Sequence, residues 1–173
     1  MADKQKLEGI VVSRSVASSF NQARTEWKLK SVQFSNEPDN CICNHPIHKL
    51  CWIENKHNKN KLLVGSTCVT KFINKNLMVD KLFVGLDKLN KAEDDGCPKI
   101  VSAYAHDQGY INDWERSFVE SLGNRYGVNL TEKQLEHRKK IHQKILVSTG
   151  YRRRVIEPVT TVKHLVDKPI LKK

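Results

Sequence analysis

Four cysteines, Cys41, Cys43, Cys51 and Cys68, stand in one short stretch of the chain, with His45 and His48 among them. Thiolate sulfur and imidazole nitrogen are the ligands zinc takes, and chains cluster them this densely chiefly to hold that ion. The spacing begins with a tight C-x-C and ends at Cys68 in STCVTKFI. Between them, CWIEN and KLLVG have strand character and HNKN has turn chemistry. Ser66 or Thr67 is then placed to cap a helix in which Val69, Phe72 and Ile73 have helical spacing. The order is a cysteine knuckle, a hairpin and a helix with a cysteine in its first turn, which is the order of a treble-clef zinc module. A thiolate at Cys68 would gain from the positive end of that helix.

Cys41, Cys43 and Cys68 are the first three candidate ligands. Cys51, His48 and His45 compete for the fourth place, in that order. In a hairpin centred on Asn58 and Lys59, Cys51 pairs near Ser66, a short step from Cys68. The competing role for Cys51 is a core position on the face it shares with Ile53. His48 could reach back to the knuckle, and His45 could serve as an outer donor. A disulfide is disfavoured because the chain opens MADKQKLEG without an apolar signal segment, which makes a reducing cytoplasm the expected compartment.

The residues Glu26, Trp27, Cys41, Cys43, Ile53, Asn55, Val64, Gly65, Ser66, Cys68 and Phe72 form the pattern EW, C-x-C, I-x-N, VGS-x-C and a following phenylalanine. Together with WERSFVESL and LTEKQ further on, this resembles a poorly characterised group of small phage and mobile-element proteins. The resemblance covers most of residues 17–146. It implies a zinc module followed by a helical tail, with the host cytoplasm as the place of work if the source is viral, and it says almost nothing about activity. Members of that group often carry glycine after the second cysteine. Asn44 stands there, and asparagine enters left-handed turns readily.

These ligands must be positioned by a chain of 173 residues with 39% hydrophobic content. That is enough for one domain, or for a small zinc unit with a helical extension. No run approaches the roughly 18 apolar residues of a membrane span. The expected fold class is α+β: an N-terminal β-rich, treble-clef-like zinc module, a C-terminal helical region and a basic tail. Residues 1–76 hold an alternating LEGIVVS strand, a short helix near SSFNQARTEW, a strand at KLKSVQF, a polar NEPDN turn and the zinc window at 41–76. Residues 77–150 read as helices. The first is built on Leu77, Leu82, Leu86 and Leu89 and is broken at AEDDGCP, where Cys97 reads as a lone thiol. KIVSAYAHDQGY forms the second. Asp113 caps the third, whose Trp114, Phe118 and Leu122 recur at i, i+4 and i+8 as a core stripe, packing rather than stacking on bases.

Thr131 and Gln134 form a capping box at the start of the fourth helix. Leu130, Leu135, Ile141, Ile145 and Leu146 project onto one arc, and Lys133, His137, Lys140 and Lys144 onto the opposite one. Gly150 ends this helix, and residues 151–173 read as an extended basic tail. Tyr151 there is assigned to packing ahead of stacking. From Thr131 onward, twelve Lys or Arg face four acidic residues, so +8 of the chain's net +11 lies in its last quarter. Lys133, Lys140, Lys144, Arg152, Arg153 and Arg154 are therefore the candidate nucleic-acid contacts, gripping phosphates without reading sequence.

The expected function is that of a zinc-stabilised, non-catalytic nucleic-acid-binding protein of phage type, acting on DNA, RNA or a ribonucleoprotein. The alternative is an adaptor that docks on a host protein of the transcription, replication or translation machinery. A nuclease of the HNH kind is third, because STCVTKFINKN offers neither the histidine nor the carboxylate such a site requires on its helix. No membrane partner is expected.

Overall fold

The computed structural model describes residues 4–71, 79–92, 95–123 and 129–151. Helix α1 (Lys4–Ser13), helix α2 (Phe20–Ala23) and a 3-10 turn (Arg24–Glu26) lead into an antiparallel sheet of β1 (Trp27–Asn40), β2 (Pro46–Asn55) and β3 (Lys61–Gly65). A single turn of helix, α3 (Ser66–Val69), follows the sheet. Then come α4 (Val79–Lys91), α5 (Lys99–Asp107), α6 (Asp113–Leu122) and α7 (Glu132–Ser148). The mixed α+β class is as expected.

The N-terminal expectation is corrected. LEGIVVS forms α1 and not a strand, with Leu7 and Val11 as its buried residues. A short apolar run fits either period. Here the i, i+4 pair places both side chains in the core, where each contributes about 1.5–3 kcal/mol of burial. The polar NEPDN segment is likewise part of β1. The strand loses its register with β2 between Phe34 and Asp39, then pairs again at Asp39↔Ile47 and Asn40↔Pro46. Pro38 falls inside that break, where no ladder donor is required of it.

The β2–β3 hairpin forms where CWIEN and KLLVG predict it, but pairs Cys51 with Val64 and Leu50 with Gly65. The turn is centred one residue earlier than expected, and Asn55 sets its geometry. The Asn55 side-chain oxygen accepts from the backbone amides of His57 (2.8 Å) and Asn58 (3.3 Å). Lys59 takes the left-handed conformation at φ 63°. Asn58 and Asn60 donate their side-chain amides to the Arg14 carbonyl, tying the turn to the end of α1.

Glu26 completes that tie. Its buried carboxylate accepts from the backbone amides of Val16 (2.9 Å) and Ala17 (2.7 Å) and from Asn55 Nδ2 (2.6 Å). The Asn55 bond, then the backbone donors, hold this carboxyl below the ordinary glutamate range. Trp27 Nε1 donates to Ser15 Oγ at 2.8 Å. The EW dipeptide and the asparagine of I-x-N thus form one polar clamp between the N-terminal segment and the hairpin.

A hydrophobic core runs without interruption from Leu7 through Val32, Ile53 and Val64 of the first part to Phe83, Val101, Ile145 and Tyr151. Val32 donates its amide to the Tyr104 hydroxyl of α5 at 2.7 Å, and Phe34 donates its amide to the Thr149 carbonyl at 2.8 Å. Gly150 adopts φ 75°, and a Cβ there would collide with the Phe34 carbonyl oxygen. This is a position that requires glycine. Tyr151 is buried and packs on Phe34 with ring centroids 4.7 Å apart, as the packing assignment has it.

Helices α4 to α7 occupy the predicted stretches, with three differences. The cap of α6 is Asn112, which forms a reciprocal box with Glu115, while Asp113 is the first helical residue and lies 2.7 Å from His106 Nε2. On α6 the buried side chains are Val119 and Leu122, whereas Trp114 is 58% exposed. The expected core stripe therefore fails at its first residue. Arg138 and His142 of α7 are fully buried with Ile141, Ile145 and Leu146. The Thr131–Gln134 capping box is present as predicted. Leu77, Phe72 and Ile73 lie outside the described residues.

Candidate metal centre

The knuckle between β1 and β2 carries Cys41 and Cys43. Asn44 turns the chain there at φ 62°, which is the conformation its position after the second cysteine predicts. The Cys41 carbonyl accepts from the Asn44 amide (2.7 Å), and the Cys41 amide donates to the His45 carbonyl (3.0 Å). Ile42 donates its amide to the Leu63 carbonyl at 3.2 Å, docking the knuckle on β3. Cys68 arrives from the other side, on α3. The cap of α3 is the backbone of Gly65, and neither Ser66 nor Thr67 caps it by a side chain, because Ser66 is already helical.

Gly65 packs closely on β2: a Cβ on it would stand 2.9 Å from Ile47 Cγ2. Its amide donates to Cys41 Sγ at 3.4 Å. The sulfurs of Cys41, Cys43 and Cys68 all lie within 4.8 Å of one another, with Cys43 and Cys68 3.5 Å apart. Zinc–sulfur bonds of about 2.3 Å in a tetrahedron put sulfurs about 3.8 Å apart, so this spacing fits a metal ion. All three residues are buried.

The three thiols differ in their electrostatics. Burial pushes the Cys68 thiol up to about 12, and the neighbouring sulfurs add to this. Burial also raises Cys41. At Cys43 burial acts in the same direction, but hydrogen bonds from Cys41, the His45 amide and Cys68 outweigh it and leave the thiol below its ordinary value. Two unit charges about 4 Å apart repel by about 4 kcal/mol at an effective dielectric near 20. Two of the three are thus held as neutral thiols by burial, and all three could become thiolates together only with a cation between them to offset that repulsion.

Cys51, placed first for the fourth position, lies outside this group. It is fully buried on β2 opposite Val32 and Val64, on the face it shares with Ile53. Burial pushes its thiol up to about 12, with the charges of Asp80 and Cys41 adding to the shift. His45 and His48 also lie outside the group, but both border the same cavity as the three sulfurs. His48 Nδ1 lies 2.9 Å from the Ser35 carbonyl, to which it donates, and this contact orients the ring. Cys97 is buried far along the chain in the α4–α5 connection and, among the described residues, joins no ligand cluster.

The nucleic-acid candidates divide. Lys133, Lys140 and Lys144 are exposed on one side of α7, as the helical projection predicts. Lys144 is held by both Glu115 oxygens, at 2.9 and 3.0 Å, and Lys140 by Glu136 at 2.7 Å. Arg152, Arg153 and Arg154 lie outside the described residues, as does the tail beyond them. A polar chain missed by sequence reasoning links α5 to α6. Ser102 Oγ is 2.9 Å from Glu120, Arg116 Nε is 3.0 Å from the same carboxylate, and His106 stands between Arg116 and Asp113. It staples two helices, and the Ser102 hydroxyl is directed at a carboxylate and a backbone carbonyl, not at an imidazole.

No described helix is long and apolar enough to cross a membrane. No protein-family model matches this chain, and no curated protein or solved structure matches it at a significant level.

Proposed function

We propose that the chain is a zinc-stabilised, non-catalytic nucleic-acid-binding protein in which the metal closes a treble-clef-like knuckle and the basic C-terminal part contacts phosphates. The observation that carries the metal half is the convergence of Cys41, Cys43 and Cys68 within 4.8 Å. Thiolate-rich tetrahedral sites select zinc over harder divalent ions. His48 is the preferred fourth ligand because it borders the same cavity, although its ring lies outside the group of sulfurs and would have to close on the ion. Its Nδ1 is already bonded to a backbone carbonyl, the arrangement that orients metal-bound histidines. A site of buried sulfurs fed by backbone amides suits a structural ion better than a reacting one.

The nucleic-acid half rests on charge: +8 of the net +11 lies from Thr131 onward. The resemblance to small phage and mobile-element proteins belongs to the same proposal, with the host cytoplasm as the compartment. The test is affinity for short DNA and RNA measured from low to physiological salt. Replacing Arg152, Arg153 and Arg154 with alanine should flatten the slope of log affinity against log salt by about two to three units, at roughly 0.7–0.9 per phosphate contact. Zinc content should not change. If neither nucleic acid binds at low salt, the reading fails, and an adaptor docking its basic surface on an acidic host protein replaces it.

A further inference from the structure

Trp114 was expected in the core and instead stands 58% exposed on α6. Its indole stacks on Phe118, with ring centroids 5.2 Å apart and an interplanar angle of 17°. His137 of α7 meets both rings edge-on, at 6.0 Å from Trp114 and 6.1 Å from Phe118. One indole face is therefore shared with Phe118, His137 meets the pair at a steep angle, and more than half of the Trp114 surface is open to solvent. An indole buries 150–250 Å² when it can, so one left this exposed leaves favourable burial to a partner.

The surroundings say which partner. His137 is the second member of the row Lys133, His137, Lys140 and Lys144, spaced i, i+4, i+7 and i+11 along one side of α7. On α6 the other exposed positions beside it are Asp113, whose carboxylate lies 2.7 Å from His106 Nε2, Ser117 and Ser121. The patch is thus one aromatic pair in a polar field, bordered by the lysine row of α7 and by the carboxylates of Asp113, Glu132 and Glu136, and too narrow for the apolar face of a partner helix. Lys144 is committed to Glu115, beside Trp114, and locks α6 against α7. Lys140 pairs with Glu136, but the two side chains are 68% and 65% exposed. Such a solvent-screened pair holds its partner weakly, and a phosphate can take the lysine over. Lys133 is exposed as well.

We infer that the α6–α7 face binds single-stranded nucleic acid, with a base stacked on Trp114 and the adjoining phosphates held by Lys133 and Lys140. This rests on the nucleic-acid reading above and deepens it by naming the strand state and the residues. A flat aromatic ring accepts any base whose own face is free. In a duplex that face is covered by neighbouring base pairs, so the site discriminates by strandedness and not by sequence. Arginines 152–154 would add phosphate contacts without requiring a free base.

The full-length, zinc-loaded protein is titrated at low salt into labelled oligothymidylate and oligouridylate of about twelve nucleotides, within the usual site size, and into a duplex of the same length. Both single strands should bind more tightly than the duplex and quench tryptophan emission. Trp114→Ala should weaken single-strand binding roughly 5- to 150-fold, the range for one lost stacking contact, while its salt slope stays that of the wild type. Trp114→Phe should restore most of the affinity but none of the quenching. Lys133→Ala with Lys140→Ala should instead lower the slope by about 1.4, from two contacts at roughly 0.7 each on a single strand. If Trp114→Ala binds single strands like the wild type, or the duplex binds equally well, the platform is wrong while the nucleic-acid reading stands. If no oligonucleotide binds at low salt, both fall together.

Discussion

Replacing the cysteines one at a time separates ligand from core more sharply than any other perturbation of this chain. Cys68→Ser removes one of three sulfurs that lie within 4.8 Å of one another. Structural zinc contributes on the order of 10–16 kcal/mol in small modules, against about 5–15 kcal/mol for the whole stability of a typical domain. Losing the site should therefore abolish cooperative unfolding of the sheet and the knuckle, and the same holds for Cys41→Ser and Cys43→Ser. Cys51→Ser is a different experiment. The side chain is fully buried between Val32 and Val64, so a serine hydroxyl would sit among apolar groups at a cost of about 1–3 kcal/mol. In a chain of this length that lowers Tm by about 2–12 °C. Zinc should stay near one ion per chain, measured by plasma mass spectrometry after dialysis, with unfolding followed by circular dichroism. The reasoning is refuted if Cys51→Ser strips the metal while any one of the three other variants retains it.

Three further outcomes follow from the same geometry. Gly150→Ala should destabilise by about 1–3 kcal/mol, since φ 75° is strained for alanine and the new Cβ meets the Phe34 carbonyl; an unchanged thermal midpoint would contradict the close approach. Asn55→Ala leaves the His57 amide and the Glu26 carboxylate short of a partner inside the fold and should cost about 1–3 kcal/mol, read from urea unfolding at constant m. Because the Glu26 carboxyl is depressed in the folded state, its contribution is present above the ordinary glutamate pKa and is lost as pH falls through the lower folded value. Glu26→Gln should flatten that acid limb of the stability curve, and a limb of unchanged shape would show that other carboxylates set it.

The ligand chemistry was legible because it is local. C-x-C followed by a residue that tolerates left-handed backbone describes a knuckle within five residues, and Asn44 adopts that conformation. The CWIEN and KLLVG strands and the Thr131 capping box were legible for the same reason. The register of the hairpin was not, because a turn can be centred on either of two neighbouring positions until Asn55 selects one by accepting from His57 and Asn58. That shift of one residue sets Cys51 opposite Val64, and the core claims it.

The sequence by itself determined the kinds of chemistry available: the thiols and imidazoles, the basic C-terminal quarter, and the lysine row on α7. Each of these is a property of composition or of short-range periodicity. Tertiary structure decided how they are used. It drew Cys68 to the knuckle while leaving Cys51 in the core, and it tied Lys144 to Glu115 from another helix. It made α1 from residues with a strand-like alternation. It also turned Trp114 outward, because α6 meets the core through Val119 and Leu122. Helical periodicity defines an arc of side chains, but which part of that arc meets the core depends on where the neighbouring helices lie, and those neighbours are distant in the chain.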